Sequence, residues 1–502
     1  MGRLFLVCVL AATPACALVP ALNRLLGRFG AESAPPPRVD GGDDAPLFAV
    51  RRPRRAVEPA FASPLTLPAG GSWVEEADVV LASSTARTDT GVTSLRAYAR
   101  AGPRARVARV GATATAAVVT CGGLCPGLNT VVQELYRCLT TQYGVGTVLG
   151  ARGGYGGLAR GDFVDLGALA ADTLYQTGGT ILGTSRGDQS PAAMADALEA
   201  AGVEMLFVVG GDGTIRGAAA LGAELEARGS KASVAVIPKT IDNDIPLIDR
   251  SFGFDTAVQE AKRAIDTAAV EARSFPRGLG VVRLMGRDAG FLAVHASLAA
   301  PGDVDACLVP EKGFALDGEQ GLLAYAEKVL DSQGHCVLVV AEGVDARCVE
   351  GGDVQGRGGD VGTWLCERFR AHFDGDAREK VSLKYVDPSY AVRAAPSIPA
   401  DTIFCSRLAQ HAVHGAMAGR TAFAVGTINT HFSEIPLEDF ANRAALVTVS
   451  GRLYGDLVRS TGQPPFEPES LDGDVECEDD LESPSGGCVV TWAGPTSTGV
   501  VA

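Results

Sequence analysis

The chain has few of the spacings that build metal centres, histidine triads or disulfide frameworks. Its six histidines form neither a triad nor a metal-binding spacing. Its twelve cysteines are scattered. Cys121 and Cys125 share a glycine turn, where a zinc site would need a second pair that the chain does not supply. We therefore expect a reduced protein without a disulfide scaffold or a structural zinc.

Positive charge and aromatic residues are also scarce. The chain has 44 Lys and Arg against 59 Asp and Glu, a formal charge of −15, which argues against a nucleic-acid partner. Aromatic residues make up 6%, whereas 62 residues are glycine and 46% are hydrophobic, a composition typical of a soluble α/β protein with many glycine turns. Local arginines in a cleft can still bind small anionic substrates.

The amino-terminal segment differs from the rest of the chain. Its apolar run, residues 4 to 12, is too short to span a bilayer, so we expect no membrane contact in the mature form. Together with Arg3 and the small residues Ala15 and Ala17, it makes residues 1 to 17 resemble a signal peptide. We interpret residues 18 to 110 as a presequence and leader, partly disordered.

The leader is rich in arginine up to about residue 60. A signal followed by a basic stretch resembles the two-part presequences of proteins sent to plastids bounded by extra membranes. A secreted protein, or a wrongly assigned start codon followed by a disordered leader, remains an alternative. We expect removal of residues 1 to 60 to leave activity intact, because every motif described below follows that segment.

The carboxyl-terminal segment, residues 467 to 502, is predicted to be an acidic, disordered tail. It contains Cys477 and Cys488. These two thiols are interpreted either as a redox pair or as solvated thiols without a role.

Two apolar runs end in turns rich in polar residues. Residues 205 to 209 precede the sequence GGDGT at 210 to 214, and residues 232 to 237 precede PKTIDND at 238 to 244. Each predicts a buried strand that ends in a polar turn, and such turns collect phosphates and metal-binding carboxylates at the carboxyl edge of an α/β sheet. A glycine cradle, a Mg²⁺ ligand and a base are what phosphoryl transfer requires.

From Gly111 onward, apolar strand-like runs alternate with segments of helical periodicity, which predicts a mostly parallel sheet covered by helices. Two further glycine-rich turns accompany the first two. One, at residues 121 to 129, leads into a helix-like run, whose amino terminus would carry a positive dipole. The other, at residues 178 to 187, contains Arg186, a side chain suited to bridging transferring phosphates.

These motifs resemble the phosphofructokinase family, and specifically its subgroup from plants and trypanosomatids. The resemblance runs in order from about residue 116 to residue 466. It is carried by GGLCPGLN at 122 to 129, LGTSRG at 182 to 187, GGDGT, PKTIDND, LMGR at 284 to 287, VVAEG at 339 to 343 and KYVDPSYAVRA at 384 to 394.

The resemblance implies an ATP-dependent 6-phosphofructokinase that uses Mg²⁺ and makes fructose 1,6-bisphosphate from fructose 6-phosphate. Asp242 would be the catalytic base beside Thr240, Asp212 the Mg²⁺ ligand, with Asp244 organising the same site, and Arg186 a catalytic cation. The residues implied for ATP are Gly123, Arg186, Gly187, Gly211, Asp212, Gly213 and Thr214. Those implied for the sugar phosphate are Thr240, Ile241, Asp242, Met285, Gly286, Arg287, Glu342, Lys384, Tyr390 and Arg393.

The family's architecture implies two Rossmann-like lobes with mostly parallel sheets that face each other across an active-site cleft. The nucleotide lobe would comprise residues 111 to 252 plus 394 to 458, and the sugar-phosphate lobe residues 253 to 393. Family members complete the sugar-phosphate site from a neighbouring subunit. We therefore expect a homodimer or homotetramer, with Lys384 and Arg277 as candidate contributions to the neighbour, and a catalytic domain of a cytoplasmic type.

The chain departs from the bacterial members at three positions, all of which follow the plant-type and pyrophosphate-using branches. Gly278 stands where they have an arginine, Tyr390 replaces a histidine, and Lys384 replaces an arginine. We take these substitutions as features of the subgroup.

The choice of phosphoryl donor rests on two positions. Pyrophosphate users have aspartate where this chain has Gly213, whereas Lys239 is the residue that they place before the TIDND run. We give Gly213 more weight and predict ATP use, because an aspartate would exclude an α-phosphate by its size and charge.

Three alternatives stay open at this point. A pyrophosphate-dependent enzyme fits Lys239. A non-catalytic regulatory subunit is disfavoured by the intact Asp212, Asp242 and Arg186. A lipid or NAD kinase would share the GGDGT turn but would lack the MGR and YxxR elements.

Overall fold

The computed structural model describes residues 48–68, 71–82, 95–169, 173–187, 189–345, 348–349, 360–374, 380–440 and 444–466. The predicted signal-like segment and the acidic tail with Cys477 and Cys488 lie outside these residues, as does the first part of the predicted leader.

The described residues alternate strands and helices. The strands are β1 Phe48–Arg51, β2 Arg54–Arg55, β3 Phe61–Ala62, β4 Val79–Leu81, β5 Leu95–Arg100, β6 Arg106–Val107, β7 Thr115–Thr120, β8 Thr147–Ala151, β9 Phe163–Asp165, β10 Met205–Gly210, β11 Ser233–Pro238, β12 Gly278–Leu284, β13 Ala306–Leu308, β14 His335–Ala341, β15 Ser382–Val386, β16 Arg420–Thr421, β17 Phe423–Ile428 and β18 His431–Pro436. The helices are α1 Leu128–Arg137, α2 Gly154–Arg160, α3 Pro191–Ala200, α4 Asp212–Ala227, α5 Phe254–Ser274, α6 Phe291–Leu298, α7 Leu322–Gln333, α8 Val361–Phe373, α9 Ser389–Ala394, α10 Pro399–Met417 and α11 Arg452–Thr461.

A ten-stranded sheet forms the large lobe. Its order is β1-β5-β18-β17-β11-β10-β7-β8-β9, with β4 also paired to β5. The pairs that join β17, β11, β10, β7 and β8 are parallel, whereas β18 and β9 run antiparallel to their neighbours. Helices α1 and α10 cover one face and α2, α3 and α4 the other. Strands buried on both faces have unbroken apolar sequences, which is why β10 and β11 stand out in the sequence.

A second, four-stranded sheet forms the small lobe. It is parallel throughout, in the order β13-β14-β12-β15. One face packs against α5 and α6, and the other face packs against α7 and α8. The prediction of an α/β protein with two mostly parallel sheets is confirmed.

The path of the chain between the lobes differs from the predicted boundary at residue 458. Helix α11 packs on α6 and β13 of the small lobe rather than on the large lobe. Just after it, the Gln463 side chain bonds both backbone groups of Cys307, accepting from its N–H at 2.8 Å and donating to its carbonyl at 3.3 Å. The amphipathic sequence of α11 indicates a helix but does not show which sheet the helix covers.

The prediction that residues 18 to 110 form a leader is wrong for their described part, which belongs to the large lobe. Strands β1, β4 and β5 extend the ten-stranded sheet beyond β18. The Arg51 Nε donates to both carboxylate oxygens of Asp439 at 3.1 and 2.9 Å, and Arg420 Nη2 donates to Glu76 at 2.5 Å. The lobe therefore begins by Phe48 rather than at Gly111. Part of the arginine content that predicted a presequence belongs to the folded lobe, where Arg51 and Arg55 form ion pairs.

This arrangement changes the expected result of deleting residues 1 to 60. That deletion removes β1, β2 and the Arg51–Asp439 ion pair, so we expect it to lower the unfolding free energy by about 2 kcal/mol and the Tm by several degrees. Deletion of residues 1 to 47 keeps these elements and serves as the matched control. Calorimetry of both truncations checks this, and an unchanged Tm after the longer deletion would show that β1 and β2 do not stabilise the lobe.

Candidate active site

A cavity of about 780 Å³ lies where the carboxyl ends of β10 and β11 face the small lobe. It contains most of the residues that the sequence predicts. From the large lobe these are Gly123, Arg186, Gly187, Gly211, Asp212, Gly213, Thr214, Lys239, Thr240, Ile241, Asp242 and Asp244. From the small lobe they are Met285, Arg287, Glu342 and Arg393.

The floor of the large-lobe side is the amino terminus of α4. Strand β10 ends at Gly210, and α4 begins at Asp212, so its free backbone N–H groups and its dipole are directed at the cavity. The Tyr155 hydroxyl donates to the Thr214 carbonyl at 2.8 Å and ties α4 to α2. Asp212 pairs with Arg216 one turn later, at 2.8 Å between Oδ2 and Nη1. This end of the cavity is suited to phosphate groups.

Lys239 connects two turns of the same lobe. Its side chain is buried, and Nζ donates to the Gly123 carbonyl at 2.7 Å. Burial lowers the pKa of this ammonium group, partly offset by Asp242 and other nearby acidic groups. Lys239 thus holds the glycine turn before α1 beside the strand end that carries Asp242.

Asp242 is the most strongly perturbed carboxylate in the cavity. It is buried, its backbone N–H donates to Thr240 Oγ1 at 3.0 Å, and Arg287 Nε lies 3.5 Å from its Oδ2. Burial and, next, the charge of Asp244 raise its pKa to about 6, while Arg287 acts in the opposite direction. A carboxylate with a pKa near 6 is ionised at neutral pH and is a stronger base than an ordinary aspartate.

The small-lobe wall is built around Glu342, which follows the end of β14. Its Oε1 accepts from the backbone N–H groups of Gly286 and Arg287 at 3.3 and 2.9 Å. Gly286 has φ +150°, and a Cβ there would lie 2.4 Å from the Ala289 carbonyl oxygen. Gly286 therefore forms the turn that presents Arg287 and does not itself line the cavity.

Three predicted residues besides Gly286 lie outside the cavity. Tyr390 is outside the cavity lining and 76% exposed, and the Arg393 guanidinium lies 4.9 Å above its ring. Lys384 Nζ lies over the Phe275 ring at 3.9 Å, also outside the cavity of its own chain. Arg277 is buried against its own chain, which corrects its prediction as a contribution to a neighbour.

Sequence reasoning missed one wall of the cavity. Arg216, Gly217 and Ala220 line it from α4, three, four and seven residues after Gly213, so they share one helix face. Pro191 and Met194 of α3 lie opposite. This helical spacing was the only signal in the sequence.

The protein groups available for a metal ion are few. The described residues contain no cluster of three or more His, Cys, Asp or Glu side chains that could hold one. Mg²⁺ bound with a nucleotide usually takes one or two carboxylates and completes its shell with phosphate oxygens and water, so Asp212 fits that role. In the part of the chain that the structure describes, none of the helices is both long and apolar enough to cross a membrane.

The family model for phosphofructokinase matches residues 115–416. The chain belongs to the phosphofructokinase family. Among its relatives, ATP-dependent 6-phosphofructokinase 1 of Arabidopsis thaliana is 45% identical over 74% of this chain and 80% of its own. ATP-dependent 6-phosphofructokinase 4, chloroplastic, of the same plant is 42% identical over 74% and 71%, and the ATP-dependent 6-phosphofructokinase of Amycolatopsis methanolica is 40% identical over 78% and 89%.

Solved phosphofructokinase structures share the fold. The pyrophosphate-dependent phosphofructokinase of Marinobacter aquaeolei aligns with a TM-score of 0.59 over 71% of this chain and 93% of its own, at 20% identity. Pichia pastoris phosphofructokinase in the T-state aligns with a TM-score of 0.55 over 65% and 35%, at 21% identity.

The pKa of Asp242 generates a prediction with two readouts. We expect Asp242→Asn to lower turnover by a factor on the order of 10² to 10⁴, because the amide keeps the shape and loses the base. In the wild type, activity should fall as the pH drops through about 6. Initial rates between pH 5 and 8 test both statements. Asp266, a part-buried carboxylate paired with Lys262 outside the cavity, is changed to Asn as the control.

Asp242→Asn should lower turnover but raise the unfolding free energy of the protein. The folded protein holds a proton on Asp242 more tightly than the unfolded chain, so its ionisation costs stability as the pH rises from about 4 through about 6. At pH 7.5 Asp242→Asn should therefore be more stable than the wild type, by at most about 3 kcal/mol, and the difference should vanish below pH 4. If the Asp242→Asn variant had the turnover and the stability of the wild type, the assigned environment of Asp242 would be refuted.

Proposed function

We propose that this chain transfers the γ-phosphoryl group of ATP to the 1-hydroxyl of fructose 6-phosphate, giving fructose 1,6-bisphosphate and ADP. The observation that carries the proposal is a buried carboxylate of raised pKa, Asp242, placed between the amino terminus of α4 and the Arg287 side chain. Relatives named ATP-dependent 6-phosphofructokinase, 40 to 45% identical over most of the chain, support it.

The geometry divides the reaction between the lobes. Asp242 takes the proton of the sugar 1-hydroxyl while that oxygen attacks the γ-phosphorus, and the bond to the β-phosphate oxygen breaks in line. Arg186 and the first turn of α4 stabilise the charge on the transferring phosphoryl group. When bound, Mg²⁺ would neutralise phosphate charge beside Asp212.

The small lobe would recognise the sugar phosphate. Arg393 offers a planar pair of donors to the 6-phosphate, and Tyr390 supports it from below. The Glu342 carboxylate is available to sugar hydroxyls next to the Met285–Arg287 turn. The Arg287 guanidinium, 3.5 Å from Asp242, favours the ionised form of that carboxylate.

The open space beside Gly213 favours ATP over pyrophosphate as the donor. A Cβ at Gly213 would meet only Arg216 Nη2, at 3.8 Å, so the backbone does not require glycine there and the space stays open. Met194, Ala220 and the ring of Tyr155 extend this space into a slot of the kind that holds a nucleotide base. Pyrophosphate would leave the slot empty. The intact catalytic residues disfavour a purely regulatory subunit.

A plastid location is part of the proposal. The signal-like and arginine-rich start of the sequence supports it, as do the names of two Arabidopsis relatives, which are called chloroplastic. Imaging a fluorescent protein fused behind residues 1 to 47 tests this, and secretion of the fusion would refute it.

We also propose that the chain forms a homo-oligomer through the small lobe. Helices α5 and α9 pack together, and their outer surface exposes Val270 and Tyr390, 63% and 76% accessible. Lys384 lies nearby over Phe275 and could reach a neighbour's sugar-phosphate site. Sedimentation should show a dimer or tetramer for the wild type and smaller species for Val270→Asp, with a raised KM for fructose 6-phosphate. Ile403→Asp, at an equally exposed position on α10, is the control and should assemble normally.

The donor assignment generates the sharpest prediction of this proposal. A coupled assay with fructose 6-phosphate and Mg²⁺ should show wild-type activity with ATP and negligible activity with pyrophosphate. Gly213→Asp should cut kcat/KM for ATP by at least about 100-fold, because its carboxylate occupies the space of the α-phosphate and repels it. Gly213→Ala is the matched control and should lose far less. Equal rates with both donors, or an unaffected aspartate variant, would overturn the assignment.

A further inference from the structure

Arg283 occupies an unusual place in β12. The strand is apolar and buried except for this side chain, which is 19% exposed and lies one residue before the Leu284-Met285 step that enters the cavity. Its guanidinium faces three carboxylates from three different segments. Nη2 lies 3.2 Å from Glu342, Nη1 3.1 Å from Asp387, and Nε 3.4 Å from Asp360.

Two of these carboxylates hold parts of the sugar-phosphate site. Glu342 uses one oxygen for Arg283 and the other for the backbone of Gly286 and Arg287. Asp387 accepts from the backbone N–H and the hydroxyl of Ser389, the first residue of α9, at 2.9 and 2.5 Å. Helix α9 carries Arg393 into the cavity.

The third carboxylate ties the same guanidinium to the strand edge. Asp360 caps the amino terminus of α8 and accepts from the Tyr385 hydroxyl at 2.8 Å. Tyr385 lies on β15, directly beside β12 and just before the segment that holds Asp387. Arg283 therefore links three segments of the small lobe, those that carry Glu342, Asp360 and Asp387.

We propose that Arg283 is a positioning residue for the sugar phosphate, acting through Glu342 and α9 rather than by contact. This rests on the proposed function. Arg283 does not line the cavity, so it has no direct ligand role in this chain. Its planar fork of five donors can satisfy three carboxylates at once, which the single ammonium of lysine cannot do in the same geometry.

Removing the guanidinium would act in two ways. The three carboxylates would repel one another, and Glu342 would lose the partner that fixes its orientation towards the Gly286–Arg287 turn. A general increase in negative field near the 6-phosphate could also weaken binding. A lysine variant separates these effects, because it restores the charge and not the fork.

The experiment compares Arg283→Gln and Arg283→Lys in the full chain by steady-state kinetics and melting. We expect Arg283→Gln to raise KM for fructose 6-phosphate about 10- to 100-fold, with kcat within about threefold and KM for ATP within about twofold of the wild type. Arg283→Lys should recover less than half of that loss on a logarithmic scale. Arg273→Gln breaks an exposed pair with Asp303 in the same lobe and is the control, expected to behave as the wild type.

A second variant keeps the proposal testable if Arg283 variants do not fold. Asp387→Asn keeps Arg283 and its bond to Glu342 but weakens the connection from Arg283 through Asp387 to Ser389 of α9. It should raise KM for fructose 6-phosphate about 3- to 10-fold, and its effect should not add to that of Arg283→Gln. Normal sugar KM in folded Arg283→Gln, full rescue by lysine, or an unchanged sugar KM in Asp387→Asn would each overturn the positioning role. A wild type that fails to phosphorylate fructose 6-phosphate would instead refute the proposed function.

Discussion

The site depends on a carboxylate that is buried and still ionised. Asp242 has lost most of its hydration, and Asp244 adds a second negative charge; both raise its pKa to about 6, and a nearby cation opposes them. That cation is Arg287, which comes from the other lobe. The chemistry therefore requires the two sheets to hold their carboxyl edges within a few ångströms of each other. The fold of both lobes can be understood from this requirement.

The parts of the molecule that the sequence predicts well are those under that requirement. Strands β10 and β11 are covered on both faces, so they have continuous apolar sequences, and the turns after them concentrate glycine and aspartate for phosphates. Their positions in the cavity agree with the sequence-based expectation. The LMGR motif at the end of β12 was found through its resemblance to the family. In the turns after β10 and β11, the residue types that bind phosphate are also the ones that the end of a buried strand requires.

The parts that the sequence did not predict are those whose position depends on distant partners. Arg51, at the end of β1, pairs with Asp439, and Arg420 pairs with Glu76. No local pattern distinguishes an arginine used in this way from one in a basic leader. Helix α11 has an apolar side that could cover either sheet. Tyr390 lies outside the cavity and packs against the Arg393 guanidinium. The sequence could not predict this, because it does not give the direction in which α9 runs.

Gly213 is a glycine that the fold itself does not require. Its backbone has ordinary helical geometry and open space beside it, whereas Gly286 is required by a left-handed φ and a close carbonyl. Gly213 is the second residue of α4, where a glycine still offers no side-chain contact in return for the backbone freedom that it loses on folding. No close packing contact requires glycine there, and the proposed donor assignment accounts for it as space for a nucleotide phosphate. On the proposed donor assignment, an aspartate at this position would leave the fold of the large lobe intact and would act on donor binding alone.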